Sequence, residues 1–209
     1  MTKPSDNAYK FYIWFDTEYT NLELETSWLL QVAALITDTS LRRVLPQEDD
    51  VRLTIRLPDD KKPSPWVEEN LPDLLKACRS PGAVNIDEAD TRLSAYVDAA
   101  AGLPTEREDQ RPVLAGNSIH EDWWLVRRFL PRFQSRLHYR HLDVTAFKLE
   151  WKRRRPGEEF EKENQDIIRR YFTEAVLPVS SRRHDAYYDL QASIAEMAFY
   201  RRHLFRQET

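Results

Sequence analysis

The chain has 209 residues, of which 41% are hydrophobic and 32% charged, with a formal net charge of −4. That length supports one domain with a sizeable core. Only four glycines occur, with no GxGxxG and no GxxxxGK[ST], which argues against collagen-like, linker-rich, Rossmann and P-loop architectures. A protein that grips long nucleic acid usually carries a basic excess, so any nucleic-acid substrate here is expected to be short or held by a few local cations. Cys78 is the single cysteine, so no internal disulfide and no multi-thiolate zinc site can form. The segment MTKPSDNAYK lacks an apolar signal core, and no stretch approaches membrane-spanning length. A cytoplasmic, membrane-free protein is the default expectation.

Residues 1–9 read as a disordered start. The aromatic and β-branched run FYIWF at 11–15 predicts a buried strand. Residues 16–22 break it. WLLQVAALIT at 28–37 predicts a second strand, and VRLTIRL at 51–57 alternates as a third. Ser64 and Pro65 open a helix whose apolar face is Trp66, Leu71, Leu74 and Leu75. A second helix covers 87–101, and 112–115 forms a short strand. Ser118 and Glu121 match the S-x-x-E capping box of a helix that carries Trp124, Leu125, Phe129 and Leu130. Another strand is expected at 141–144, helices near 146–151 and 167–172, and a last helix from 186 to 205. The fold class is therefore α/β, a mixed sheet flanked by helices. We expect one domain over 10–207, with a charged insertion around 150–183.

Four carboxylates and a histidine sit where such elements begin or end: Asp16 and Glu18 in FDTEYT, Asp122 in SIHEDWW, and His184 and Asp189 in RRHDAYYDLQ. If the first strand stays extended, its period of two puts Asp16 and Glu18 on one face, after Tyr12 and Trp14. The plainer reading is that D-T-E only opens a loop. Asp122 falls in a first helical turn, where an acid is favoured in any protein; Glu121 could serve the cap and leave Asp122 free. His184 and Asp189 are five apart, so they share a site most easily with His184 in the loop, Asp185 as the cap and Asp189 one turn inside. Carboxylates that converge repel one another unless a cation lies between them, and hard oxygen ligands suit Mg²⁺ or Mn²⁺. A neutral histidine beside them could act as general base.

FDTEYTNLELE, LLQVAALITD, LAGNSIHEDWWLVRRFLP, HYRHLDVT and HDAYYDLQASIAEMAFYRRHLF together resemble the oligoribonucleases, a branch of the DEDDh 3′→5′ exonucleases with an RNase H-like fold. The resemblance covers about 11–57 and 112–205. It implies that Asp16, Glu18, Asp122 and Asp189 bind two divalent cations, Mg²⁺ or Mn²⁺, and that His184 is the general base. It implies substrates of two to a few ribonucleotides, cut to nucleoside 5′-monophosphates. Ser118, Arg140 and Thr145 match positions that close on the 5′ phosphate, Leu22 a residue that wedges between bases, and Trp66 a tryptophan that stacks on one. Tyr139 matches a tyrosine supplied across a homodimer interface. The chain departs from the pattern at Asn21, for a usual glycine, at Gln31, for a glutamate, at Leu71, for a histidine, and at Thr145, for a serine. Two alternatives stand beside this reading: a DEDDh exonuclease that trims longer RNA or DNA ends, and a silent domain that binds nucleotides or a partner.

Overall fold

The computed structural model describes residues 9–178 and 185–205. The strand β1 (Phe11–Tyr19) pairs antiparallel with β2 (Leu29–Asp38), and β2 pairs antiparallel with β3 (Val51–Thr54). On the other side of β1 lie β4 (Val113–Gly116) and then β5 (His141–Asp143), both parallel to it. The order β3-β2-β1-β4-β5 makes one mixed sheet with β1 at its centre. Eight α-helices accompany it among the described residues: α1 (Pro65–Asn70), α2 (Pro72–Cys78), α3 (Ile86–Ala101), α4 (Ile119–Phe129), α5 (Pro131–Gln134), α6 (Val144–Arg154), α7 (Gln165–Tyr171) and α8 (Ala186–Leu204).

The alternation of β1 sorts its side chains between two cores. Ile13 and Phe15 face α3, α4 and α5, meeting Leu93, Leu125 and Phe133. Tyr12 and Trp14 face α6, α7 and α8, meeting Trp151, Ile168 and Ile194. Burial of each large apolar side chain contributes about 1.5–3 kcal/mol, so a central strand covered on both faces is held firmly. Trp14 also satisfies its buried indole, donating from Nε1 to Thr37 Oγ1 at 2.9 Å. A smaller cluster of Leu30, Leu57, Val67, Leu71, Leu75 and Cys78 fixes α1 and α2 against β2. There the Cys78 thiol is fully buried and donates to the Leu30 carbonyl at 3.3 Å.

Several expectations are corrected. β1 does not break at residue 16 but runs on to Tyr19, because Asp16, Thr17 and Glu18 keep their ladder with Ala33, Val32 and Gln31. The third strand stops at Thr54, beyond which Ile55 keeps one bridge to Val84. Ser64 caps its helix as expected, accepting from the Val67 N–H at 3.3 Å. That helix is two helices, however: Pro72 has no N–H to continue α1 and disfavours a helical Leu71, so α2 restarts with Pro72 at its first position. The capping box at 118–121 does not form. Ser118 is left-handed (φ 49°) and its side chain caps nothing, while the Glu121 carboxylate accepts from the Tyr19 hydroxyl at 2.5 Å. The four-residue α5, begun by Pro131, has no counterpart in the sequence reading.

The charged stretch after residue 150 is built into the protein through 178. Phe160, Ile168 and Phe172 are buried in the core beside α8, and Tyr188 donates from its hydroxyl to the Lys162 carbonyl at 2.9 Å. The start expected to be disordered falls at 1–8 outside the described residues, and the Tyr9 ring packs at a tilt against Tyr12 with ring centroids 5.6 Å apart.

Candidate metal centre and substrate cavity

Two elements build the centre. Because β1 stays extended, Asp16 and Glu18 continue the face of Tyr12 and Trp14, and that face is the one α8 covers. Asp185 caps α8, its carboxylate accepting from the Tyr187 and Tyr188 N–H groups at 3.0 and 3.1 Å. This sets the first turn, and Asp189 sits one turn inside, its N–H on the Asp185 carbonyl at 3.0 Å. One carboxylate oxygen from each of Asp16, Glu18 and Asp189 lies within 4.8 Å of the other two.

Asp122 is held beside this trio rather than within it. It is buried in the first turn of α4, and its Oδ1 accepts from the Thr17 hydroxyl at 2.6 Å. Thr17 points to the opposite face of β1 from Asp16 and Glu18, so the strand grips Asp122 from behind. The charge of Asp122 still acts on both Asp16 and Glu18. His184 lies outside the described residues.

The electrostatics follow from crowding four acids together. Burial, and then the charges of Asp122, Asp189 and Glu18, hold the Asp16 carboxyl well above the usual range. Burial and the Asp189 and Asp122 charges push Glu18 up to about 8. Burial pushes Asp122 up to about 7, against the hydrogen bond from Thr17, which works the other way. Such a cluster carries its charge comfortably only with a counter-cation. Opposite oxygens around Mg²⁺ stand about 4 Å apart, since each metal–oxygen bond is about 2.0–2.1 Å. The trio therefore has the donor type and nearly the spacing that a hard divalent ion needs.

Asp16, Glu18 and Asp189 line a cavity of about 890 Å³. Its walls include Leu22 and Asn21 after β1 and Ser64, Pro65 and Trp66 at the start of α1. Leu22 is 86% and Trp66 49% exposed, so neither belongs to the core. An exposed leucine and tryptophan beside these acids are suited to flat, partly apolar groups such as nucleobases. Leu71 is buried in the small cluster of α1 and α2, so it presents no polar group to the cavity.

The remaining predicted contacts gather elsewhere. Ser118 and Thr145 meet at the parallel end of the sheet: the Ser118 N–H donates to Thr145 Oγ1 at 2.8 Å and to Asp143 Oδ1 at 3.1 Å. Tyr139 is 54% exposed and stacks on His138 with centroids 4.5 Å apart. Arg140 is exposed, lies over the Tyr139 ring and makes no ion pair among the described residues. None of these four lines the cavity with the acids. Thr17 and Tyr19 were missed by sequence reasoning. Their partners Asp122 and Glu121 are more than a hundred residues away, and no local pattern announces such a link.

No family model matches the chain. Over 205 residues it is 30% identical to the mitochondrial oligoribonuclease of Homo sapiens, covering 94% of this chain and 74% of that one. The chain belongs to the oligoribonuclease family. The oligoribonuclease of Streptomyces avermitilis is 29% identical over 92% of this chain and 86% of its own length. That of Salmonella typhimurium is 26% identical over 93% and 95%. Among solved structures, exonuclease I from Methylocaldum szegediense aligns with a TM-score of 0.63 and 18% identity, and the cell-death related nuclease 4 with 0.59 and 14%. The alignments span 93% and 91% of this oligoribonuclease-family chain but 41% and 63% of those proteins, and show that it shares their RNase H-like fold.

Proposed function

We infer that the protein is a 3′→5′ exoribonuclease, a hydrolase that shortens small oligoribonucleotides to nucleoside 5′-monophosphates. The observation that carries this reading is the three-carboxylate cluster lining a cavity whose walls include an exposed leucine and tryptophan. Kinship with oligoribonucleases supports the substrate class.

Asp16, Glu18, Asp122 and Asp189 would hold divalent cations, two in our proposal, Mg²⁺ or Mn²⁺. When bound, such ions lower the pKa of water and stabilise charge on a phosphate in flight. The protein's own part is to place the substrate and to accept a proton. Leu22 and Trp66 seat the bases at the 3′ end, so that the scissile phosphate comes down over the acids. His184, next to Asp185 in the sequence, is assigned the general base that takes the proton of the attacking water. The water oxygen forms the new bond to phosphorus, the bond to the 3′ oxygen breaks, and that oxygen leaves with a proton. Ser118, Arg140 and Thr145 receive the 5′ phosphate, where the planar fork of Arg140 suits phosphate oxygens. These three residues stand outside the cavity lining, and in this reading they set where a short substrate must end. Tyr139 completes that end from a second copy of the chain in a homodimer. No helix among the described residues is long and apolar enough to cross a membrane, and we place the enzyme in the cytoplasm.

The test is a comparison of a labelled diribonucleotide with a long single-stranded RNA, each with Mn²⁺. The dinucleotide is expected to turn over faster, and activity to vanish with chelator and in Asp16→Ala. Faster turnover of the long strand would favour the trimming of extended 3′ ends, and activity that survives chelation would overturn the metal chemistry.

A further inference from the structure

One buried charge cluster lies outside the chemistry just described. The Asp50 side chain, fully buried at the entrance to β3, pairs with the Arg43 guanidinium. It accepts two tyrosine hydroxyls as well: Tyr96 of α3 on Oδ1 at 3.1 Å, and Tyr187 of α8 on Oδ2 at 2.6 Å. Tyr96 belongs to the core on one side of the sheet and Tyr187 to the core on the other. Asp50 is therefore where the two faces of the sheet meet, around its β3 edge. The Arg52 guanidinium, two residues further on, lies over the Tyr187 ring at 3.4 Å.

The far end of this cluster is the first turn of α8. Tyr187 is two residues from Asp189. The turn has a second tie to the sheet: Gln31 Oε1 in β2 accepts from the Ala186 N–H at 3.2 Å. Gln31 stands opposite Glu18 in the ladder. The strand pair that carries Asp16 and Glu18 thus also holds the helix that brings Asp189 to them. Asp50 does the same from the sheet edge, by a hydrogen bond to a charged acceptor within a dry setting, where such bonds are strong.

We propose that Asp50 is a positioning residue for the metal centre, holding the first turn of α8 through the Tyr187 hydroxyl so that Asp189 stays in register with Asp16 and Glu18. Asp50 touches neither substrate nor metal in this scheme. Its effect travels through one hydroxyl and half a helical turn. The cluster would matter most to metal affinity, since a carboxylate displaced by a fraction of its reach leaves the coordination sphere. The proposal rests on the assignment of Asp189 to the metal centre.

Tyr187→Phe tests it by deleting one oxygen and keeping the ring under Arg52. Asp50→Asn is the companion, and Tyr96→Phe, which removes an Asp50 partner that does not lead to α8, is the control. Mn²⁺ affinity measured by titration calorimetry needs no turnover and is the primary readout. For Tyr187→Phe we expect Mn²⁺ affinity to fall by about fivefold or more and kcat on a diribonucleotide to fall with it, while KM stays within about twofold of the parent. Tyr96→Phe is expected to lower the melting temperature without moving Mn²⁺ affinity. If Asp50→Asn fails to fold, Tyr187→Phe still decides. Parental Mn²⁺ affinity and kcat in a folded Tyr187→Phe would overturn the proposal and leave Asp50 a structural charge. If the parent binds Mn²⁺ yet hydrolyses no RNA, the functional reading fails, while the calorimetric comparison still stands or falls by itself.

Discussion

Asp122 owes its place to a neighbour that is not an acid. The Thr17 hydroxyl is the hydrogen-bond donor that works against the effect of its burial, and it stands on the face of β1 opposite Asp16 and Glu18, the face that α4 covers. Thr17→Val keeps the shape and removes that donor, and hydrogen bonds to buried charged groups contribute about 1.5–3 kcal/mol. Part of that loss is expected as a lower melting temperature without metal. Hydrolysis should fall by about tenfold, on the scale of one such bond. A Thr17→Val protein with parental rates would show that Asp122 needs no support from β1. At this scale the pairing of the acids was legible only on a condition: Asp16 and Glu18 share a face if the strand stays extended. The apolar run ending at Phe15 favoured a loop there, whereas the ladder with β2 carries the strand to Tyr19. Their support was not legible, because Thr17 and Asp122 are neighbours only through the pairing of distant elements.

The turn from β4 into α4 shows how an element is aimed. Gly116 ends β4 so close to β1 that an added Cβ would stand 2.8 Å from the Phe15 carbonyl oxygen and 3.0 Å from Ile119 Cδ1. Ser118 then takes a left-handed backbone, its N–H received by Asp143 and Thr145. Together they turn the chain so that Asp122 faces Thr17. Gly116→Ala must push β4 and β1 apart, and overpacking of this kind costs about 1–3 kcal/mol. We expect a lower melting temperature and reduced turnover in that variant, and normal values for both would mean the contact gives way freely. The sequence showed the G-N-S turn here but assigned Ser118 to a cap. S-x-x-E describes a cap only when the serine backbone is extended, and the demand of β5 on the Ser118 N–H overrides that local preference. Pro72 was the reverse case: its residue type alone announces a break, which the apolar spacing of Leu71, Leu74 and Leu75 concealed.

Folding the whole molecule means burying acids that repel. Glu18, with its carboxyl pushed up to about 8, binds a proton in the folded state where the unfolded chain, near 4.5, has lost it. The folded protein then holds more protons between those values, so stability without metal must fall as pH rises from about 4.5 through 8. The Asp122 shift, to about 7, has the same sign. We expect melting temperatures in chelator to decline over that window, and added Mn²⁺ to raise them most at its upper end. A chelated protein whose stability rises toward pH 8 would contradict the clustering of these acids. The mixed sheet and its flanking helices were legible from the run lengths and their spacing. The sharing of one strand by two cores was not, since which helix covers which face depends on crossovers that periodicity leaves open.

The shielded thiol has a practical use. Burial pushes Cys78 up to about 12, and its sulfur is closed in behind α1 and α2. Thiol-directed dyes at neutral pH would pass it by. A cysteine introduced on the exposed rim, near Leu22, would then take a single fluorophore without any need to remove the native one, and its emission would follow an oligonucleotide entering the enzyme in real time.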